Sequence, residues 1–118
     1  SKNNARLHTS RVINTVQKFG AQVFMESTLH DFFKNQEIIF YDNFKKMLSD
    51  CDLMIAVGGD GTIIHCSRHA AEAGKPILGI NVGRLGFVAG LETEELNKLE
   101  NLFNGNYTLE NGMMLEII

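Results

Sequence analysis

The sequence predicts an α/β domain with a mostly parallel sheet. Three observations predict it. Short apolar runs suited to strands alternate with segments of helical period. Two of those runs, 53–57 and 77–80, carry only apolar residues and glycine, the pattern of a parallel strand covered on both faces. Both lead directly into glycine-rich stretches, which lie where ligands bind in such sheets, beyond the carboxyl ends of the strands.

Taken in order, residues 6–19 place Leu7, Val12, Ile13, Val16 and Phe19 near a helical period, with Gly20 as the stop. Residues 21–25 form a short β-prone run. The following "STLHDFFKNQEIIFYDNF" has no clear period and reads as an insert with a short helix. Residues 43–48 suit a second helix, and 53–57 a central strand. A helix is expected over 62–73, ended by Gly74 and Pro76, and a buried strand over 77–80. "NVGRLGFVAGLE" is a glycine-rich loop. Residues 93–103 suit an amphipathic helix with Thr93 as N-cap, acids in its first turn, and an inner stripe of Leu96, Leu99, Leu102 and Phe103. "NGNY" is a turn before a last strand region. The final "MLEII" is expected to lack sheet partners and to promote association. The chain is expected to be part of a larger protein, without a first strand. Its units are an α/β domain over 1–112 and the start of a second domain over 113–118.

Composition narrows the function classes. With 44% hydrophobic and 21% charged residues the chain supports a packed core rather than disorder. A net charge of -3 without a basic block argues against nucleic-acid or anionic-membrane partners. No stretch approaches the roughly 18 to 20 apolar residues of a membrane-spanning helix. Cys51 and Cys66 lie in or beside apolar segments and read as reduced thiols, which suits a cytoplasmic protein.

The chemistry concentrates in "GGDGT", residues 58–62. Glycines let backbone N–H groups approach a ligand closely, and the following helix N-terminus favours anions. Gly58, Gly59, Gly61 and Thr62 therefore suggest a phosphate or pyrophosphate seat, or else simply a tight strand–helix turn. The spacing is neither a Walker A loop nor the G-x-G-x-x-G dinucleotide fingerprint. Asp60 would repel a phosphate unless it holds a cation or accepts a proton. A carboxylate beside a hydroxyl nucleophile is the general-base arrangement of phosphoryl transfer, and a helix cap is the plainer alternative. His65 either reaches a ligand phosphate or adenine, or lies on the helix surface. His65 and His69 share a helical face, but with no third ligand of suitable spacing no metal site is assigned. The second loop offers Asn81 and Gly83, then Gly86 and Phe87. Asn81 can both donate and accept, and Phe87 brings an aromatic face that either meets a base or anchors the loop. Two such loops above adjacent strands would build one cleft.

"GGDGT" followed by "PILGINVGRLGF" at 76–87 resembles the N-terminal domain of NAD kinases. The likeness is clearest over 51–91. It implies a three-layer Rossmann-like domain and phosphorylation of the adenosine-ribose 2′-hydroxyl of NAD. The implied donor is ATP or polyphosphate, with a divalent metal, usually magnesium. It assigns the proton acceptor to Asp60, NAD contacts to Asp60 and Gly61, a ligand contact to His65, and a place beside the dinucleotide to Phe87. It also implies a homo-oligomer and a C-terminal β-rich domain bearing an Asn-Glu motif. The "LENG" at 109–112 has these residues in the reverse order, so the 118-residue chain alone is expected to make no NADP. The alternatives are a diacylglycerol-type lipid kinase sharing GGDGT, which the low positive charge and the second loop disfavour, and a non-catalytic nucleotide-binding module.

Overall fold

A computed structural model describes residues 2–83, 90–110 and 113–118. Helix α1 (Lys2–Lys18) starts earlier than its apolar period suggests. It ends at Gly20, whose φ of 90° lets Gly20 and Ala21 donate back to the carbonyls of Gln17 and Val16. Its buried face is Val12, Ile13 and Val16, whereas Leu7 and Phe19 are exposed, contrary to the expected stripe. Phe19 instead packs on Phe103, ring centroids 5.2 Å apart.

The stretch without a period is a compact crossover. β1 (Phe24–Glu26) and β2 (Ile39–Tyr41) pair in parallel, joined through a 3-10 turn (Ser27–Leu29) and α2 (His30–Phe33). Phe33 is buried beneath the crossover. Helix α3 (Phe44–Asp50) is capped by Asn43, whose Oδ1 accepts the Lys46 N–H at 2.9 Å.

The central unit is a β-α-β crossover. β3 (Met54–Gly58) passes into α4 (Asp60–Ala73), which Gly74 closes at φ 68°, and β4 (Ile77–Asn81) returns parallel to β3. Alternation explains the all-apolar runs. Met54 and Ala56 meet the cluster that contains Ile63 and Ala70 of α4, while Ile55 and Val57 face the cluster of Val12 and Val16 from α1. Ile63, 1% exposed, is the large side chain that seats α4 on the sheet. Burial of that kind contributes about 1.5–3 kcal/mol. Helices thus cover both faces of a largely parallel sheet, the three-layer α/β arrangement expected.

The far edge of β4 is shared. β5 (Leu91–Glu92) pairs with its carboxyl end, and β7 (Met114–Ile117) meets its amino end at Ile77. β6 (Tyr107–Glu110) runs antiparallel to β7 and forms the exposed edge. The terminal run therefore has sheet partners, and Leu115 and Ile117 lie in the core. The expectation that it would be unpaired is corrected.

Residues 93–103 do not form one α-helix. Thr93–Leu99 winds as a 3-10 helix, and only then does α5 (Glu100–Phe103) begin. Thr93, Leu96 and Leu99 are the buried positions. They recur every third residue, which aligns them on one side of a three-residue turn. The N-cap is Glu92, not Thr93: Glu92 and Glu95 form a reciprocal capping box, with the Glu92 N–H donating to Glu95 Oε1 at 2.9 Å. Phe103 is exposed rather than part of the inner stripe.

A cleft of about 1030 Å³ separates the β1–β2 pair from β3, lined by Val12, Val16, Val23, Met25, Ile55 and Val57 among others. None of residues 58–62 or 81–83 lines it, so cavity volume does not point to the glycine loop.

Candidate functional site

The glycine loop and the second loop meet above the carboxyl ends of β3 and β4. Gly58 and Asn81 are register partners at those ends, and the Val82 N–H donates to the Gly58 carbonyl at 3.0 Å. This places the two loops side by side, as two glycine-rich stretches after adjacent parallel strands require.

The three glycines of the first loop differ in their reasons. A Cβ on Gly58 would come within 2.9 Å of Thr62 Cβ, so this position is kept bare by the close approach of the helix's first turn to the strand. Gly59 and Gly61 are different. Among the described residues, a Cβ at either would meet nothing within 4 Å. Gly59 has φ −85° and ψ −179°, a conformation open to any residue. Neither backbone strain nor internal packing calls for glycine there. What a side chain would occupy is open space at the start of α4, where N–H groups and the helix dipole face outward.

Asp60 is the first residue of α4, so the helix begins two residues earlier than expected. Gly59, not Asp60, is the N-cap residue. Asp60 Oδ1 accepts a hydrogen bond from Asn81 Nδ2 at 2.9 Å. Asn81 is 2% exposed, and its own Oδ1 accepts the Gly83 N–H at 3.0 Å. The early helix start puts His65 in the second turn of α4, on its exposed side. Its ring meets His69 edge-on at 5.0 Å, and His69 meets Phe44 at 5.2 Å. Gly86 and Phe87 lie outside the described residues.

Among the described residues no group of three or more His, Cys, Asp or Glu side chains is gathered as a metal centre. Cys51 and Cys66 are free, and burial pushes both thiols above their ordinary pKa, away from the reactive thiolate. No helix among the described residues is long and apolar enough to cross a membrane.

The structure brings together Gly58, Gly59, Asp60, Gly61, Thr62, Asn81 and Gly83. The direct tie between Asp60 and Asn81 had no local signal, because the two residues are 21 positions apart. Glu92 was also missed. It is the register partner of Asn81 on the next strand, and its E-x-x-E spacing with Glu95 was the available sign.

Known proteins share this arrangement of sequence. The chain is 33% identical over 115 residues to the NAD kinase of Bacteroides fragilis, covering 94% of this chain and 40% of that protein. It is 34% identical over 116 residues to the NAD kinase of Ruminiclostridium cellulolyticum, covering 97% of this chain and 39% of that protein. Over 69 residues it is 46% identical to the NAD kinase of Clostridium kluyveri, covering 58% of this chain and 24% of that protein. The chain thus spans about 40% of the length of the first two relatives. The family model described as ATP-NAD kinase N-terminal domain matches residues 2–107. With that match extending from α1 to the start of β6, and with the glycine loop and its acid standing at the strand ends, the chain belongs to the ATP-NAD kinase N-terminal domain family.

Proposed function

We propose that the protein carrying this chain phosphorylates the 2′-hydroxyl of the adenosine ribose of NAD, with ATP or polyphosphate as donor. The observation that carries the reading is the pair of glycines, Gly59 and Gly61, that leave open space on either side of Asp60 at the start of α4. In this reading the backbone of residues 58–62 seats ligand phosphate. The Asp60 carboxylate takes the proton of the 2′-hydroxyl as its oxygen forms a bond to the terminal phosphorus of the donor. The bond from that phosphorus to the bridging oxygen breaks, and with ATP the leaving group is ADP. Positioning and electrostatics supply most of the acceleration in such transfers. His65, Gly83, Gly86 and Phe87 complete the proposed nucleotide wall, and Asn81 stands behind Asp60.

Magnesium enters with the donor. Mg²⁺ is usually held by one or two carboxylates together with substrate phosphates, and the described residues hold no cluster fit for a resident metal. A cytoplasmic homo-oligomer and inactivity of the 118-residue chain by itself belong to the same proposal. The second of these is supported by the 40% of the Bacteroides fragilis relative that the chain spans.

The test is a coupled assay. The whole protein, with magnesium, NAD and either ATP or polyphosphate, should yield product that an NADP-specific dehydrogenase reduces. Binding of NAD without any turnover would instead indicate a nucleotide-binding module, and phosphorylation of diacylglycerol but not NAD a lipid kinase. A second expectation concerns the seat itself. Gly59→Val directs its side chain into a space where a Cβ meets no atom of the described residues within 4 Å, so the fold and its helical circular dichroism should be retained. NAD binding measured by calorimetry should weaken by about 2 kcal/mol or more, the scale of a lost charged hydrogen bond. Affinity equal to the parent would remove the phosphate seat from 58–62.

A further inference from the structure

Asn81 is buried and polar, and phosphate binding does not explain its side chain. It ends β4, on the same face of the sheet as Ile77, which packs in the α4 cluster. Only 2% of it is exposed. The orientation of its amide is not ambiguous. The Gly83 backbone N–H can only donate, so the atom facing it is the amide oxygen, Oδ1, at 3.0 Å. The other end must then be the NH₂ group, and it points at Asp60 Oδ1, 2.9 Å away. One planar amide therefore links the turn after β4 to the acid at the start of α4. Both loops are also joined by the Val82 N–H to Gly58 carbonyl bond. Asp60 thus has its rotamer fixed from the neighbouring strand, by a group that is itself held by the backbone.

We propose that Asn81 is a positioning residue that acts through Asp60, orienting its carboxylate toward the hydroxyl to be deprotonated, instead of contacting the nucleotide. The proposal rests on the reading of Asp60 as the base. A donor on Oδ1 restrains rotation of the carboxylate about its χ torsions. A shift of about 1 Å in a reacting group is enough to lower a rate by about 10²-fold.

The near-isosteric change Asn81→Asp isolates this role. The new oxygen still accepts from Gly83, while the donor to Asp60 is replaced by an acceptor that repels it. In the whole protein, kcat should fall about 10- to 100-fold, the scale of such a misplacement, with KM for NAD changed less than about 3-fold. The same substitution made on Asp60→Asn should change kcat little further, because the group it positions is already gone. That double variant also restores a donor–acceptor pair in reverse, so its thermal midpoint should recover above that of Asn81→Asp. Asn81→Ser adds no charge, and it replaces Asn81→Asp in both backgrounds should the latter not fold. Full turnover in the single variants, or losses that multiply independently in the double, would overturn the positioning role. Near-normal turnover of Asp60→Asn alone would overturn the base reading instead, so the two failures are distinguishable.

Discussion

Asp60→Asn in the whole protein is expected to lower kcat by about 10²- to 10⁴-fold, the range for a general acid–base group. The substitution is conservative at this position. An asparagine oxygen can still accept the Asn81 Nδ2 hydrogen bond, so the tie between the loops is kept. What disappears is the carboxylate proposed to accept the proton. Initial rates under saturating NAD and donor give kcat, and calorimetry gives NAD affinity, which should change far less. Near-normal turnover would mean that the carboxylate is not the base.

Gly90→Ala is expected to have the largest effect on folding. Gly90 has φ 150°, which L residues rarely adopt. A Cβ there would drive into the Gly79 carbonyl, 2.9 Å from its carbon and 3.2 Å from Gly79 Cα. All of these are backbone atoms of the fully buried strand β4, so no side chain can swing aside. Dihedral strain of about 1–3 kcal/mol and overpacking of about 1–3 kcal/mol add to roughly 2–6 kcal/mol. That is a large part of the about 5–15 kcal/mol available to a domain. Urea unfolding should show the lower midpoint directly. Gly59→Ala is the control, since its backbone is extended and its Cβ meets nothing within 4 Å among the described residues. Equal midpoints for Gly90→Ala and the parent would contradict this close approach of residue 90 to β4.

The parts of the fold legible in the sequence are those where one local signal suffices. β3 and β4 announce themselves as apolar runs that lead into glycine-rich stretches, and α4 is bounded by Gly59 and Gly74. β5 is two residues long, too short for any pattern. β6 is exposed at every position, so burial leaves no alternation to read. The three-residue spacing of Thr93, Leu96 and Leu99 was present but fits an amphipathic α-helix nearly as well, and only packing against the core selects the tighter winding. The site divides in the same way. That two loops meet above adjacent strands follows from β3–α4–β4 order. Which glycines are bare for packing and which face open space is set by tertiary structure: Thr62 beside Gly58, Gly79 beside Gly90.

The cleft between the β1–β2 pair and β3 has a consequence for how the molecule opens. The two strands share no ladder with the larger sheet and are held to it by side-chain packing, including that of α3. β4, in contrast, is paired along both edges. Amide hydrogens of Ile77–Asn81 should therefore exchange only on global unfolding, while those of Phe24–Glu26 and Ile39–Tyr41 exchange through a cheaper, partial opening. That partial opening leaves the Asp60–Asn81 bond intact. Deuterium uptake followed by mass spectrometry should then show NAD slowing exchange across 54–62 and 77–83 with little change across 24–41, so the domain can loosen on one side of the cleft while its glycine-loop end stays assembled.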